Sequence, residues 1–216
     1  MPFRNQLPAA ASIAEPDTGA RLNSPSAQRN AALIAEVLAV HGPHEGRALE
    51  IASGTGQHVV AFAAALPHIT WQPSEIDAAR HASIDAWAEA PNIRRAITLD
   101  ATTPGWGARH GRRDLIVLVN LLHLISESEA HILLHEVSEA LVPGGLFAVY
   151  GPFLRDGRTV SEADASFDAS LRASDPEIGY KDAKDVASWM RAAGLRPQPP
   201  LPMPANNLMF LAHHPL

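Results

Sequence analysis

Cysteine is absent from the 216-residue sequence. Without thiols, the protein has no disulfide bond, no thiolate metal ligand and no cysteine nucleophile. The His213-His214 pair near the C-terminus has no companion acid at metal-ligand spacing, and we expect no metal site. Any chemistry must therefore use histidine, carboxylate, hydroxyl and backbone groups.

The sequence is also poor in positive charge and in long apolar runs. It has 17 lysines and arginines against 23 acidic residues, a net charge of −6. A negative surface repels a phosphate backbone, so we expect no nucleic-acid partner. The longest apolar run, 115–125, is interrupted by Asn120 and His123 and is shorter than the ~20 residues of a membrane span. Because residues 1–23 show no signal-peptide pattern either, we expect a cytoplasmic protein without membrane contact.

Two stretches of the chain lack any hydrophobic period. Residues 1–23 are rich in alanine, proline and serine, and we expect a flexible N-terminal arm there. Residues 24–216 are expected to form a single domain, because that length suits one buried core. Inside this domain, residues 151–180 also have no clear period, which predicts a lid or a substrate-binding insertion.

Short apolar strands alternate with helices through the rest of the chain. The pattern predicts strands over 48–51, 69–73, 93–99, 114–119 and 146–150, with helices over 59–66, 77–89, 161–173 and 182–193, one beginning at Ser24, and one from Ser126 that Pro143, Gly144 and Gly145 close. Such alternation is typical of a doubly wound, mostly parallel α/β sheet. Two closing segments, 195–203 and 207–212, predict an antiparallel C-terminal hairpin and bring the sheet to seven strands.

Three acidic residues recur at the period of one strand and one helix. Glu50, Glu75 and Asp100 are 25 residues apart, and each lies at or just beyond the end of a predicted strand. The carboxyl ends of parallel strands face a common crevice. One acid there can reach a ribose diol and another an exocyclic amine, so the spacing predicts a pocket for an adenosine-bearing ligand.

A glycine turn follows the first of these strands. It reads Glu50-Ile51-Ala52-Ser53-Gly54-Thr55-Gly56, and its glycines allow the backbone to approach a ligand closely. A dinucleotide fingerprint would need a third glycine, and Glu50 would repel a diphosphate. The turn therefore favours S-adenosylmethionine, a cationic ligand without phosphate, over NAD.

Four blocks of the sequence resemble a known family. The blocks 48–58 (ALEIASGTGQH), 71–77 (WQPSEID), 150–153 (YGPF) and 204–207 (PANN) resemble class I S-adenosylmethionine-dependent methyltransferases of the family that includes the methyltransferase-like 26 proteins. The resemblance extends from about Ser24 to the C-terminus and implies a Rossmann-like fold. It departs from the general class pattern at Ala52, where a glycine is common.

The resemblance implies which residues hold the cofactor. Glu50 and the backbone of 53–56 would hold the methionine end, Glu75 the ribose hydroxyls, and Asp100 with Ala101 the adenine. A plainer interpretation, in which Glu75 and Asp100 are helix caps or loop acids, stays open. The expected cofactor-binding residues are Glu50, Ala52, Ser53, Gly54, Thr55, Gly56, Glu75, Ile76, Asp100, Ala101 and Asn120.

The expectations for the substrate side are less specific. His123 follows a predicted strand closely and is a candidate general base, although a structural role is an equal alternative. Candidate substrate-binding residues are Arg29, Tyr150, Phe153, Arg155, Arg158, Asn206 and Asn207. The charged members of this set would also suit a solvated surface, and the asparagines a turn.

The expected reaction is methyl transfer from S-adenosylmethionine to a small-molecule acceptor, with S-adenosylhomocysteine as the product. The acceptor atom, O, N or S, stays open. The Asn/Asp-Pro-Pro-aromatic signature of nucleic-acid amino methylation is absent, since residues 120–123 read Asn-Leu-Leu-His. A binding module that acts through a partner without turnover is the alternative, and an NAD-dependent oxidoreductase is a weaker one. The methyltransferase and the binding module differ in whether residues 151–180 close a pocket.

Overall fold

A computed structural model describes residues 14–216 of the chain. Its strands are β1 (Glu15–Pro16), β2 (Leu22–Asn23), β3 (Gly46–Ile51), β4 (Ile69–Glu75), β5 (Ile97–Thr98), β6 (Arg113–Val119), β7 (Leu141–Pro152), β8 (Arg196–Pro197), β9 (Leu201–Pro202) and β10 (Asn207–His213). Its helices are α1 (Pro25–His41), α2 (Gln57–Ala65), α3 (Ala78–Trp87), α4 (Trp106–His110), α5 (Glu127–Ala140), α6 (Glu162–Ser174) and α7 (Ala183–Ala192), with a short 3-10 helix at Leu122–Leu124.

The central sheet has the strand order β5-β4-β3-β6-β7-β10-β8, and β9 pairs with β10. Strands β3 to β7 pair in parallel, whereas β10 is antiparallel to β7, β8 and β9. The predicted fold class is thus confirmed, with eight strands rather than seven. The extra strand arises because the segment 195–203 divides into β8 and β9. Its four prolines lack the N–H groups that a continuous ladder needs.

The predicted helix starts at residues 77 and 126 are confirmed, and both are capped. Asp77 accepts a hydrogen bond from the Ala79 N–H, and Ser126 and Glu129 form a capping box at the start of α5. Some predicted boundaries are wrong. Helix α5 ends at Ala140, so residues 143–145 lie within β7, where the pairing with β6 shifts register. The predicted strand 93–99 is reduced to β5 and an isolated bridge.

The two faces of the sheet bury two separate apolar clusters. Alternate residues of β6 point to opposite faces, with Leu115 and Val117 on one side and Ile116 and Leu118 on the other. Helices α1 and α2 cover the first face and α5 and α7 the second. With both faces covered, the open carboxyl ends of the parallel strands are left to form a site.

The segment before α1 packs against α3. Strands β1 and β2 pair, the Arg21 guanidinium lies 4.6 Å from the Trp87 ring centroid, and the Trp87 indole N–H donates to the Leu22 carbonyl (2.9 Å). Residues 15–23 of the expected arm therefore contact α3, although they lack a hydrophobic period. Residues 1–13 of that expected arm lie outside the described residues.

The irregular segment 151–180 contains α6 and a small apolar cluster of its own. Leu124, beyond β6, packs there with Leu171, Ile178 and Tyr180. Within residues 14–216, no helix combines the length and apolar character needed to cross a membrane.

Candidate functional site

A cavity of about 400 Å³ opens at the carboxyl ends of β3, β4 and β6, within the size range of small-molecule sites. The structure brings nine of the predicted site residues to its wall: Arg29, Ala52, Ser53, Gly54, Thr55, Glu75, Asn120, His123 and Asn207. The remaining ten are not on that wall: Glu50, Gly56, Ile76, Asp100, Ala101, Tyr150, Phe153, Arg155, Arg158 and Asn206.

The glycine turn is held open toward the cavity at Gly54. This residue has φ of +59°, and the atom of residues 14–216 nearest to an added Cβ is the Arg80 Nη1 atom at 3.8 Å. The Gly54 N–H donates to the Glu75 carboxylate (2.9 Å), and the Ser53 N–H donates to the Ser74 carbonyl (2.9 Å). The backbone of this turn is therefore fixed to β4 while its outer side stays free for a ligand.

Gly56 serves a different purpose. Its φ is +95°, and an added Cβ would lie 2.7 Å from the Ile84 Cα. The glycine is therefore needed for close packing of the turn on α3, whereas the sequence suggested close approach of a ligand.

Three residues on the wall have left-handed backbone without being glycine, and one of them is Ala205 with φ of 54°. Ala52 follows β3 with φ of 55°, and Asn120 follows β6 with φ of 56°. Asparagine tolerates this conformation, whereas alanine is strained in it. Strain of this kind persists where the surroundings impose it and clusters at functional sites. Ala52 and Asn120 lie at the ends of adjacent parallel strands, at the cavity wall.

We expect Ala52→Gly to stabilise the protein. Relief of the left-handed strain exceeds the entropy cost of a glycine, leaving a gain of about 1 kcal/mol. For a domain of this size the melting temperature should rise by about 2–4 °C in calorimetry. Asn120→Gly is the matched control, because asparagine is little strained there, and it should gain less. A lower melting temperature for Ala52→Gly would show that the Ala52 methyl group matters more than the strain.

Glu75 accepts three backbone hydrogen bonds. Its Oε2 accepts from the Gly54 N–H (2.9 Å), and its Oε1 accepts from the N–H groups of Ile76 (2.9 Å) and Asp77 (3.2 Å). A carboxylate offers about four acceptor positions. Glu75 is therefore both a loop cap and a wall residue with capacity for one further donor.

Glu50 lies behind the turn and not on the wall. It is 1% exposed, and within the described residues its Oε2 atom has no hydrogen-bond partner. Burial raises the pKa of Glu50 to about 8, a hydrogen bond from Ser53 lowers it, and the Glu75 charge raises it further. Glu50 is thus largely protonated at neutral pH in this state, and a nearby cation would favour its charged form.

The residues expected at the adenine end are not on the cavity wall. The Asp100 Oδ1 atom accepts from the Thr102 N–H (2.9 Å) and hydroxyl (2.6 Å), which agrees with the loop-acid alternative. Ala101 is buried, and its carbonyl accepts from the Trp106 indole (3.2 Å). Ile76 is 42% exposed.

His123 lies on the wall as a buried neutral ring. It packs edge-on against Phe167 (centroids 5.9 Å apart) and Tyr180 (6.0 Å). Burial lowers the pKa of His123 to about 3, the Lys181 charge lowers it too, and Asp168 opposes the shift. At neutral pH this imidazole is unprotonated, as a proton acceptor must be, but it is a weak base.

A hydrogen-bonded group that includes the wall residue His58 connects α1, α2 and β7. The His58 Nε2 atom is 2.7 Å from the Asn30 Oδ1 atom, and Tyr150 bonds to Asn30. Burial lowers the pKa of His58 to about 4 and raises the pKa of Tyr150. The sequence analysis missed His58. Its position two residues after the glycine turn is a usable signal.

Most of the other predicted substrate-binding residues lie outside the cavity wall and contact neighbouring parts of the fold. Phe153 is a core residue with its ring 4.9 Å from that of Phe210. Arg155 donates to the carbonyls of Phe153 and Asn206, and its backbone pairs with that of Arg158. On the wall itself, sequence reasoning missed Arg80, Asp164, Phe167 and Tyr180. Within residues 14–216, no three histidine, aspartate or glutamate side chains are grouped as a metal site.

The buried ionisable groups predict a stability maximum near pH 6.5. His58 and His123 have folded pKa values of about 4 and 3, below the unfolded 6.5, so their neutral forms are favoured in the fold and stability falls as pH drops from 6.5. Glu50 has a folded pKa of about 8 against 4.5 unfolded, so its contribution is lost as pH rises from 4.5 to about 8. Between pH 4.5 and 6.5 the stability gained from the two histidines exceeds the stability lost from Glu50, so the free energy of unfolding rises with pH. Between pH 6.5 and 8, Glu50 is the only one of these three groups whose contribution changes, so the free energy of unfolding falls.

Melting temperature measured against pH tests this expectation. Glu50→Gln should remove the decline between pH 6.5 and 8, because the amide does not titrate. Glu36→Gln, which changes an exposed acid of α1, should keep the decline. An unchanged profile for Glu50→Gln would mean that Glu50 is ionised in the folded protein at neutral pH.

Solved structures with this fold define its class. The fold matches an O-methyltransferase family protein from Burkholderia thailandensis (TM-score 0.74, 16% identity, 88% of this chain and 56% of that one). It also matches human N-acetylserotonin methyltransferase in complex with SAM (0.74, 16%, 88% and 53%) and an O-methyltransferase family 2 protein from Planctomyces limnophilus in complex with apigenin (0.70, 18%, 87% and 59%). The chain spans little more than half the length of these proteins. The fold is therefore the Rossmann-like fold of class I methyltransferases.

Within that fold class, the sequence identifies one family. Residues 21–214 match the family described as "Protein of unknown function (DUF938)". The chain belongs to this family.

Proposed function

We propose that this protein transfers a methyl group from S-adenosylmethionine to a small-molecule acceptor and releases S-adenosylhomocysteine. The observation that carries the proposal is the open turn at Gly54, fixed to Glu75 at the carboxyl ends of adjacent parallel strands. Human N-acetylserotonin methyltransferase, which has the same fold, is described as a complex with SAM. The motif resemblance to the methyltransferase-like 26 proteins adds independent support for the same function and for a kinship with that family.

The residues of the site suit this cofactor chemically. An open space at Gly54 admits ligand atoms close to the backbone, and the remaining acceptor position of Glu75 suits a ribose hydroxyl. The buried, unpartnered Oε2 atom of Glu50 suits the cationic methionine end, because a nearby positive charge stabilises the carboxylate. We propose these residues, with Ser53, Thr55 and Asn120, as the cofactor site, and the loop at Asp100 and Ala101 as the adenine end.

The cofactor would supply an electrophilic methyl group, so the protein has to align the acceptor, exclude water and remove a proton where the acceptor carries one. His123 is our candidate for the proton acceptor. Because its pKa is lowered to about 3, it suits an acceptor that loses a proton readily, such as a phenol or thiol, better than an aliphatic alcohol.

Residues 151–180 favour an enzyme over a passive binding module. Asp164, Phe167 and Tyr180, all from this segment, contribute to the cavity wall beside His123. These three residues can hold an acceptor next to the cofactor. A module that only binds the cofactor does not require such a wall.

Methyl transfer can be tested without knowing the acceptor. The protein is incubated with methyl-labelled S-adenosylmethionine and a small-molecule extract of cells, and labelled products and S-adenosylhomocysteine are measured. We expect both to form, and neither to form with Gly54→Val. Binding of S-adenosylmethionine without product above the level of that variant would favour the non-catalytic module.

A further inference from the structure

Three rings and one carboxylate form the wall on the substrate side. The rings of His123, Phe167 and Tyr180 meet edge to face, with centroids 5.9 to 6.2 Å apart. Asp164, one turn before Phe167 on α6, lines the same cavity. This combination offers a ligand apolar ring surface and a negative charge.

Asp164 has hydrogen bonds but no ion pair within the described part of the chain. Its Oδ2 atom accepts from the Ser161 hydroxyl (2.6 Å) and the Asn206 amide (2.9 Å), whereas its Oδ1 atom has only a 3.5 Å contact with the Tyr180 hydroxyl. Within residues 14–216, no lysine, arginine or histidine forms a salt bridge with it. Burial lowers the pKa of Arg155, and the charge of Asp164 opposes this shift. The Arg155 guanidinium nevertheless donates its hydrogen bonds to backbone carbonyls and not to Asp164.

The positive charges of the cavity lie by the proposed cofactor site. Arg80 lies beside Gly54, and Arg29 is close enough to Tyr150 to lower its pKa against the effect of burial. Lys181 is close enough to His123 to lower its pKa, but Lys181 does not line the cavity. Among the described residues of the ring-lined wall, Asp164 is the one that carries a charge.

We propose that the acceptor is a small arylalkylamine whose ammonium group binds Asp164 while its ring packs among His123, Phe167 and Tyr180. The inference rests on the proposed function, since it assigns the second ligand of the same cavity. Tyrosine and phenylalanine rings attract cations through their faces, and an ammonium supplies the charge that Asp164 lacks. An aromatic carboxylic acid would meet Asp164 with a like charge, so the site should reject it.

Two matched phenols of opposite charge test the proposal. Tyramine and 4-hydroxyphenylacetate are titrated into the protein saturated with S-adenosylhomocysteine, and their affinities are measured by calorimetry. We expect tyramine to bind at least about tenfold more tightly, as one charge-assisted hydrogen bond should provide. Asp164→Asn should lower tyramine affinity about tenfold, with the affinity for S-adenosylhomocysteine unchanged.

Glu162→Gln is the control, because it removes an exposed charge from the same helical turn outside the cavity wall, and it should keep the preference for tyramine. A role for Asp164 confined to the helix N-terminus would lower the melting temperature of Asp164→Asn and leave the preference intact, which overturns the proposal. Equal affinity for both phenols, or binding of neither, overturns it too. Failure of S-adenosylhomocysteine itself to bind the unaltered protein would instead contradict the proposed function.

Discussion

Gly54→Val is expected to lower the affinity for S-adenosylmethionine by more than about 100-fold, because the valine branches would fill the space at the turn and a β-branched residue is strained at this φ. Among residues 14–216, the nearest atom to an added Cβ at Gly54 is 3.8 Å away, so the chain should still fold. Circular dichroism checks the fold, and calorimetric titration measures the affinity.

The matched control for this variant is Gly157→Val. Gly157 has a comparable φ of +72° and open space around an added Cβ, but it does not line the cavity. It should therefore suffer the backbone strain without losing affinity. If Gly54→Val is folded and binds as tightly as this control, the turn does not face the cofactor.

Glu75→Ala is expected to weaken cofactor binding by ~1–3 kcal/mol, about 5- to 150-fold, the range for loss of hydrogen bonds to a charged group. The variant loses the proposed acceptor for the ribose and also the caps on the N–H groups of Gly54, Ile76 and Asp77. Affinity should be measured by titration well below the melting temperature, which should also fall.

Asp77→Ala separates these two effects. Asp77 caps α3 through the Ala79 N–H and does not line the cavity, so its loss should cost about 1 kcal/mol of stability with little change in affinity. Undiminished affinity in Glu75→Ala would put Glu75 outside the cofactor site.

The sequence predicted those parts of the fold and site that depend on local periodicity. The alternation of strands and helices is visible in the sequence. It was enough to predict that Gly54, Glu75 and Asn120 lie at the same end of the sheet. The same pattern could not show that Gly56 packs on Ile84 or that Asp100 binds Thr102, because these contacts depend on side-chain packing between elements.

The substrate-side wall was beyond sequence reasoning for a related reason. Asp164, Phe167 and Tyr180 belong to a segment without a clear period, and their position depends on long-range contacts, such as the bond from the Gly179 N–H to the His123 carbonyl (3.0 Å). The protonation states of Glu50 and His123 could not be predicted from the sequence either. The raised pKa of Glu50 and the lowered pKa of His123 both arise mainly from burial.

Calorimetric titration of the unaltered protein with S-adenosylmethionine, S-adenosylhomocysteine and NAD tests the central claim most directly. The account predicts micromolar binding of the first two, one molecule per chain, and no measurable binding of NAD, because the turn provides no pyrophosphate site. Binding of NAD in preference to S-adenosylmethionine, or binding of neither S-adenosyl compound at millimolar concentration, would contradict it.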